Sequence, residues 1–174
     1  MKLNTISIAM RSLAVTGVEV ADELAVLTES EDKCESLAVN YNHHDNINSV
    51  RRMVAASENN DSEKMFSFFD EKANFRDVNM PDGEWSSLDE YKERLKKFRE
   101  SFEINSIDVV GYPDYLEYDM NNSKVVQSWW DFRVKRKSDG KKVTIPVMLV
   151  HNFNDDGMIT NEMGYYTTQA MAAK

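Results

Sequence analysis

Residues 124–137 read KVVQSWWDFRVKRK, residues 138–140 read SDG, and residues 141–153 read KKVTIPVMLVHNF. Two long runs rich in β-branched and aromatic residues, joined by a short glycine-containing turn, predict a β-hairpin. Side chains alternate across a strand, so the first run divides into two sets. Val126, Ser128, Trp130, Phe132 and Val134 form the more apolar set and are predicted to face an interior. Val125, Gln127, Trp129, Asp131 and Arg133 are predicted to face outward. In the outward set, Asp131 and Arg133 form a same-face ion pair of the kind expected at a surface or interface. Trp129 is large and apolar for a solvated face, which points to a subunit contact. In the second run Val143, Ile145, Val147, Leu149, His151 and Phe153 share one face, whose apolar majority makes it the inward one.

Outward from the hairpin the period stays at two. Asp155-Asp156-Gly157 predicts a second hairpin turn, with a last strand over 158–168. Upstream, residues 104–110 and 115–118 predict shorter strands. Earlier still the period becomes helical. Ser87 with Glu90 forms a capping box, and Leu88, Tyr91, Leu95, Phe98 and Phe102 mark a stripe behind it that reads as core. Pro81-Asp82-Gly83 predicts a turn, and residues 73–78 a strand with Phe75 and Asp77 on one face. Ile47, Val50, Met53 and Val54 recur at helical spacing. Asn59-Asn60-Asp61 breaks that helix, and Asp61 or Ser62 can cap a short one carrying Met65, Phe66, Phe68 and Phe69. Helices followed by a meander of long strands predict an α+β domain over 41–174, with about three N-terminal helices packed in a curved antiparallel sheet. Residues 1–40 lack a firm period and read as a partly disordered extension.

The chain has 174 residues, a hydrophobic fraction of 41% and a net charge of −9, which suits one folded domain and disfavours a polyanionic nucleic-acid partner. The basic run Lys135-Arg136-Lys137 flanks the hairpin turn and reads as a solvated edge. Cys34 is the single cysteine, so neither an internal disulfide nor a paired-cysteine metal site can form. No apolar stretch is long enough to span a bilayer. A cytoplasmic protein is expected, with an exported one as the alternative if residues 1–40 hide a leader.

Two inward residues carry candidate chemistry. His151 is the polar member of an apolar row, either a histidine hydrogen-bonded at the core's edge or a functional group. Asp77 shares a strand face with Phe75. It is either a proton-exchanging carboxylate in an apolar pocket or a strand-end residue bonded to the turn that follows. His43 and His44 lie in a polar stretch ahead of the first helix and read as solvated.

Residues 60–63 (NDSE) leading to 68–77 (FFDEKANFRD), the helix at 87–98, and residues 150–159 (VHNFNDDGMI) followed by Tyr165-Tyr166 together resemble the nuclear transport factor 2-like superfamily, which includes SnoaL-like polyketide cyclases and ketosteroid isomerases. The resemblance runs from about Asn46 to Met171. It implies a cone-shaped, cystatin-like roll with a pocket at its wide end, and a homodimer through the outer sheet face near Trp129. It places Asp77 at the proton-shuttling base of ketosteroid isomerases. Their oxyanion tyrosine and protonated aspartate correspond here to Met53 and Leu149, which cannot donate to an enolate oxygen, so steroid isomerisation is rejected. Epoxide hydrolases of this fold use an Asp–Arg–Asp set, but alternation points Asp131 and Arg133 outward.

Two functions stay open. One is a domain that binds a small hydrophobic ligand without turning it over. The other is a cofactor-free isomerase, cyclase or hydrolase-type lyase using Asp77 and His151 as acid and base on a carbonyl compound. In both, the expected pocket wall is Met53, Phe69, Phe75, Trp130, Phe132, Val147, Leu149, Glu162 and Tyr166. Neither a cofactor nor a metal is expected, and no membrane or nucleic-acid partner.

Overall fold

A computed structural model describes residues 44–119 and 121–171. The expectations for residues 1–40, Cys34 and His43 lie outside them. Helix α1 (Asp45–Glu58) begins at His44, whose extended backbone and Nδ1, accepting from the Asn46 amide at 3.1 Å, cap the helix. The ring also stacks on Tyr115 at 3.5 Å. His44 therefore has a structural task, and its reading as a merely solvated residue is corrected. A histidine acceptor satisfies the orphan amide as the usual short polar caps do. Ile47, Val50, Met53 and Val54 are all buried, as their spacing predicts.

Helix α2 (Ser62–Phe66) is capped by Asp61, whose Oδ1 accepts from the Lys64 amide at 3.0 Å. It is shorter than its apolar run suggests. Phe69 already belongs to strand β1 (Phe69–Asp77), where it pairs with Ile159. The ladder across to the C-terminal strand outcompetes another helical turn. Strand β2 (Ser86–Ser87) leads into helix α3 (Leu88–Ser101), and the capping box forms: the Ser87 amide donates to Glu90 Oε2 at 2.7 Å, and the Glu90 amide to Ser87 Oγ at 3.4 Å. None of the α3 residues is fully buried, although its apolar stripe packs on the core. Phe102, read as part of that stripe, instead opens strand β3 (Phe102–Val109).

Strands β4 (Asp114–Tyr118), β5 (Ser123–Arg136), β6 (Lys142–Phe153) and β7 (Ile159–Tyr166) complete the domain, with a 3-10 turn at Gln169–Met171. The sheet order is β2-β1-β7-β6-β5-β3, and β4 also pairs with β5. The long β5 strand is shared, its first half by β4 and its second half by β3. Every pairing is antiparallel except β1 with β7, which is parallel. The sheet is therefore mixed, curved and unclosed, with three helices against it. Register shifts within β1–β7, β3–β5 and β6–β7 mark bulges, the usual device for bending a sheet.

The predicted phase of the hairpin is observed over most of its length, with two corrections. Val125, predicted outward, is buried where β4 and β6 flank it. Arg136, read as part of a solvated edge, is buried with its guanidinium held by Asp139 and the Met171 carbonyl. Val126, Ser128, Trp130 and Val134 are buried on β5, and Ile145, Val147, Leu149, His151 and Phe153 on β6. The expected Asp131–Arg133 pair does not form. Arg133 Nε instead meets Asp108 Oδ2 of β3 at 2.6 Å, because an adjoining strand offers a closer partner than a residue two positions along the same strand.

Candidate functional site

Helices and sheet enclose a cavity of about 200 Å³. Met53 and Val54 of α1 and Met65 of α2 form one apolar side. Phe132, Ile145, Val147 and Leu149 of β5 and β6 form another, and Leu95 and Phe98 of α3 cover it. Period-two alternation on the sheet and 3.6-residue periodicity on the helices thus deliver the same kind of side chain to one space.

Asp77 lies at the end of β1, almost fully buried, and faces this space. Its Oδ2 accepts from the Tyr166 hydroxyl at 3.0 Å. Its Oδ1 accepts from the Asn79 backbone amide at 2.8 Å and from the Asn79 side chain at 3.0 Å. Asp77 therefore lines the pocket and also ties down the turn after the strand. Three donors compensate for most of the lost water, as a buried carboxylate requires.

Tyr166 reaches Asp77 over Gly164, which pairs with Asp77 in the parallel ladder. A Cβ at position 164 would stand 3.1 Å from the Tyr166 ring and 3.7 Å from the Asp77 Cβ. The absent side chain is what lets the ring lie across the strand.

Glu162, buried on β7 opposite Phe75, is the second carboxylate of the cavity. His151 Nε2 sits 2.9 Å from Glu162 Oε2. A carboxylate only accepts, so Nε2 is the donor. The imidazole is fully buried, and its Nδ1 has no hydrogen-bond partner among the described residues. Tyr91 of α3 lies beside Glu162, stacked on Phe75 at 4.1 Å. Burial, then the negative Glu162, pushes the Tyr91 hydroxyl well above its ordinary value. Burial, then the negative Asp77, does the same to Tyr166. Both tyrosines stay protonated donors at neutral pH.

Of the residues expected at the site, Met53, Phe75, Asp77, Phe132, Val147, Leu149, Glu162 and Tyr166 line the cavity. Phe69, Trp130 and His151 do not. Phe69 packs behind Phe75 at 5.0 Å between ring centres. Trp130 is buried in the core, its indole N–H donating to Ser128 Oγ at 2.9 Å. His151 stands behind Glu162, so direct acid–base work by His151 on a ligand is corrected to support of that carboxylate. Sequence reasoning missed Tyr91, Arg94, Leu95 and Phe98 as wall residues. The α3 stripe carried the signal, but a stripe over a cavity and a stripe over a solid core have the same period. Among the described residues no group of acidic, histidine or cysteine side chains is arranged to hold a metal ion, and no helix is long and apolar enough to cross a membrane.

The family described as SnoaL-like domain matches residues 50–162. No curated protein sequence matches significantly. Among solved structures, the chain is similar to a candidate isomerase from Bacillus subtilis, with 16% identity, a TM-score of 0.57, and coverage of 71% of this chain and 90% of that one. It is similar to a candidate SnoaL-like polyketide cyclase from Mesorhizobium loti, with 16% identity, a TM-score of 0.51, and coverage of 68% and 97% respectively. It is also similar to an epoxide hydrolase from M. tuberculosis, with 13% identity, a TM-score of 0.53, and coverage of 72% and 85%. At these identities the likeness is one of fold.

The tyrosine environment predicts a pH response. A group whose folded value is raised stabilises the fold below its unfolded value and loses that contribution as pH rises through the folded one. Stability should therefore fall as pH climbs past the ordinary tyrosine value of 10.0. Denaturant titrations across this range, with tyrosinate absorbance as the readout, should show a shallower decline in Tyr91→Phe/Tyr166→Phe. An equally steep decline in that variant would contradict the assignment.

Proposed function

The chain belongs to the SnoaL-like domain family, and from that premise we propose that it binds a small, mostly apolar molecule in the cavity, with the ligand's polar group at the wall formed by Asp77, Tyr166 and Glu162. The observation that carries this reading is the segregation inside the cavity. Aliphatic and aromatic side chains form most of the lining, while the two carboxylates sit together on the adjacent strands β1 and β7. Sites for small organic ligands have this composition: apolar walls for affinity, and a few convergent polar groups for orientation.

Ligand binding to the native state raises its stability by about 2.7 kcal/mol at a hundredfold excess over Kd. In a thermal-shift screen of small carbonyl compounds and hydrophobic acids, at least one compound class should raise the melting temperature. Leu149→Trp, which fills the cavity, should abolish that shift. A shift that survives in Leu149→Trp would place the ligand elsewhere.

A second reading is favoured by Asp77 itself. It is a buried carboxylate facing the apolar space where a carbon acid would lie, with the Tyr166 hydroxyl fixing its orientation. On this reading the protein is a cofactor-free isomerase, cyclase or hydrolase-type lyase in which Asp77 removes a proton beside a carbonyl. General-base catalysis contributes about 10²–10⁴-fold. With a small ketone from the screen, the chain should speed deuterium uptake at the carbon next to the carbonyl, and Asp77→Asn should remove about two orders of magnitude or more. Equal exchange in both proteins would eliminate the base.

A homodimer through the outer face is part of the proposal. Trp129, Met148 and Tyr165 stand side by side across β5, β6 and β7, with Val110 next to Trp129. Tyr165 is 42% and Val110 47% exposed, so the row presents a continuous apolar strip. Light scattering should give twice the chain mass, and Trp129→Asp should return it to that of one chain. A monomeric wild-type protein at micromolar concentration would refute the dimer.

A further inference from the structure

Arg94 is a polar group of the cavity to which neither ligand binding nor proton removal by Asp77 has assigned a task. It stands half-buried on α3, one turn along from Tyr91 and one turn before Phe98, and all three line the same space. Its Nη1 donates to the buried Ser86 Oγ at 2.8 Å and lies 3.5 Å from Met80 Sδ. The guanidinium carbon sits 5.5 Å from the centre of the Tyr91 ring. Ser86 is itself anchored, its hydroxyl donating to the Phe75 carbonyl at 3.1 Å, and Phe75 pairs with Glu162. The anchor is thus two residues from Asp77 along β1. The charge of Arg94 acts on the hydroxyls of both Tyr91 and Tyr166.

Every partner just named is neutral. Among the described residues no carboxylate lies within ion-pair distance of Arg94. A guanidinium carries five N–H donors and stays charged at any physiological pH. Committing the Nη1 donors to Ser86 and Met80 leaves those of Nε and Nη2 to an occupant of the cavity.

We propose that Arg94 stabilises the negative oxygen of an enolate formed in the cavity, and that the substrate class is therefore a neutral carbonyl compound with an acidic hydrogen on the adjacent carbon. This rests on the proton-transfer reading of Asp77. The Asp77 carboxylate takes the proton. The C–H electron pair becomes the carbon–carbon π bond of the enolate, and the carbonyl π pair moves onto oxygen, facing Arg94. Returning the proton to another carbon restores a carbonyl and the Asp77 carboxylate.

Charge explains the preference for a neutral substrate. Asp77 and Glu162 already supply two carboxylates, and an anionic ligand would add a third against one guanidinium. A neutral ketone gains its charge only as Asp77 loses its own, so the total in the cavity is constant. Arg94 then meets a full negative charge only after proton removal, the differential interaction that accelerates a reaction. Met53 and Leu149 cannot donate to that oxygen, whereas Arg94 approaches from α3 and supplies the missing donor.

4-Nitrophenol tests this, because its conjugated oxygen mimics the enolate and its visible absorbance reports its own ionisation. Bound to Asp77→Asn, whose neutral amide stands in for the protonated carboxyl that accompanies the enolate, it should ionise at lower pH than in water, with phenolate held about tenfold more tightly than phenol, the scale of one charge-assisted hydrogen bond. Adding Arg94→Gln should keep neutral 4-nitrophenol but lose that preference, and Arg94→Lys in its place should restore part of it. If Asp77→Asn binds the probe with its ionisation unmoved or shifted to higher pH, Arg94 does not have this role although the ligand site stands. In the wild type the Asp77 carboxylate opposes phenolate, and Arg94→Gln alone should move the bound probe's ionisation about one pH unit higher still; an unmoved value equally excludes the role. If equilibrium dialysis finds no uptake by the wild type, the cavity reading fails and the role of Arg94 with it.

Discussion

Desolvation of two carboxylates on the concave side of the sheet is the constraint around which the domain is arranged. An ionised side chain taken from water without partners is strongly unfavourable, so its surroundings must donate. Asp77 receives a tyrosine hydroxyl and two asparagine donors, and Glu162 a histidine with a tyrosine hydroxyl alongside. These groups come from β1, β6, β7, α3 and the turn after β1. The parallel β1–β7 pairing brings the first and last strands together so that one wall holds both acids. The apolar walls have a simpler task and need only the right size and shape.

Much of this was legible in the residues. The runs at 124–137 and 141–153 are long enough for the two-residue period to fix which side chains share a face, and the buried positions follow it except at Val125, which β4 and β6 flank. The Ser87–Glu90 box set the start of α3 because both of its hydrogen bonds are local. Asp77 and Tyr166 were placed at the pocket by face and fold resemblance. What the sequence did not disclose was depth. Alternation puts His151 and Leu149 on the same side of β6, but it does not say that one meets the cavity while the other is screened by Glu162 from the neighbouring strand. Trp130 and Phe69 illustrate the same limit.

Partner choice was the other hidden quantity. Arg133 has an acidic neighbour two residues away, yet its ion pair is with Asp108, which β3 carries alongside β5. Arg94 is one of several charges on an amphipathic helix, and no local pattern singles it out. Its place in the cavity depends on Ser86, and that contact exists because β2 folds back on β1. His44 caps α1 through the nearby Asn46 amide, but it is a stacking partner only through Tyr115, which lies far beyond the reach of any local pattern.

Gly164 shows how a site can depend on atoms that are not there. Glycines at turns usually owe their place to backbone angles closed to other residues, and Gly83, Gly111, Gly140 and Gly157 all have positive φ. Gly164 is absent from that group, so its backbone would accommodate alanine. The demand is volumetric: a single methyl group would occupy the room through which Tyr166 reaches its acidic partner. Substitution at this position would leave the strand free to form while loosening the alignment of a hydroxyl and a carboxylate, thereby separating the integrity of the scaffold from the tuning of its chemistry.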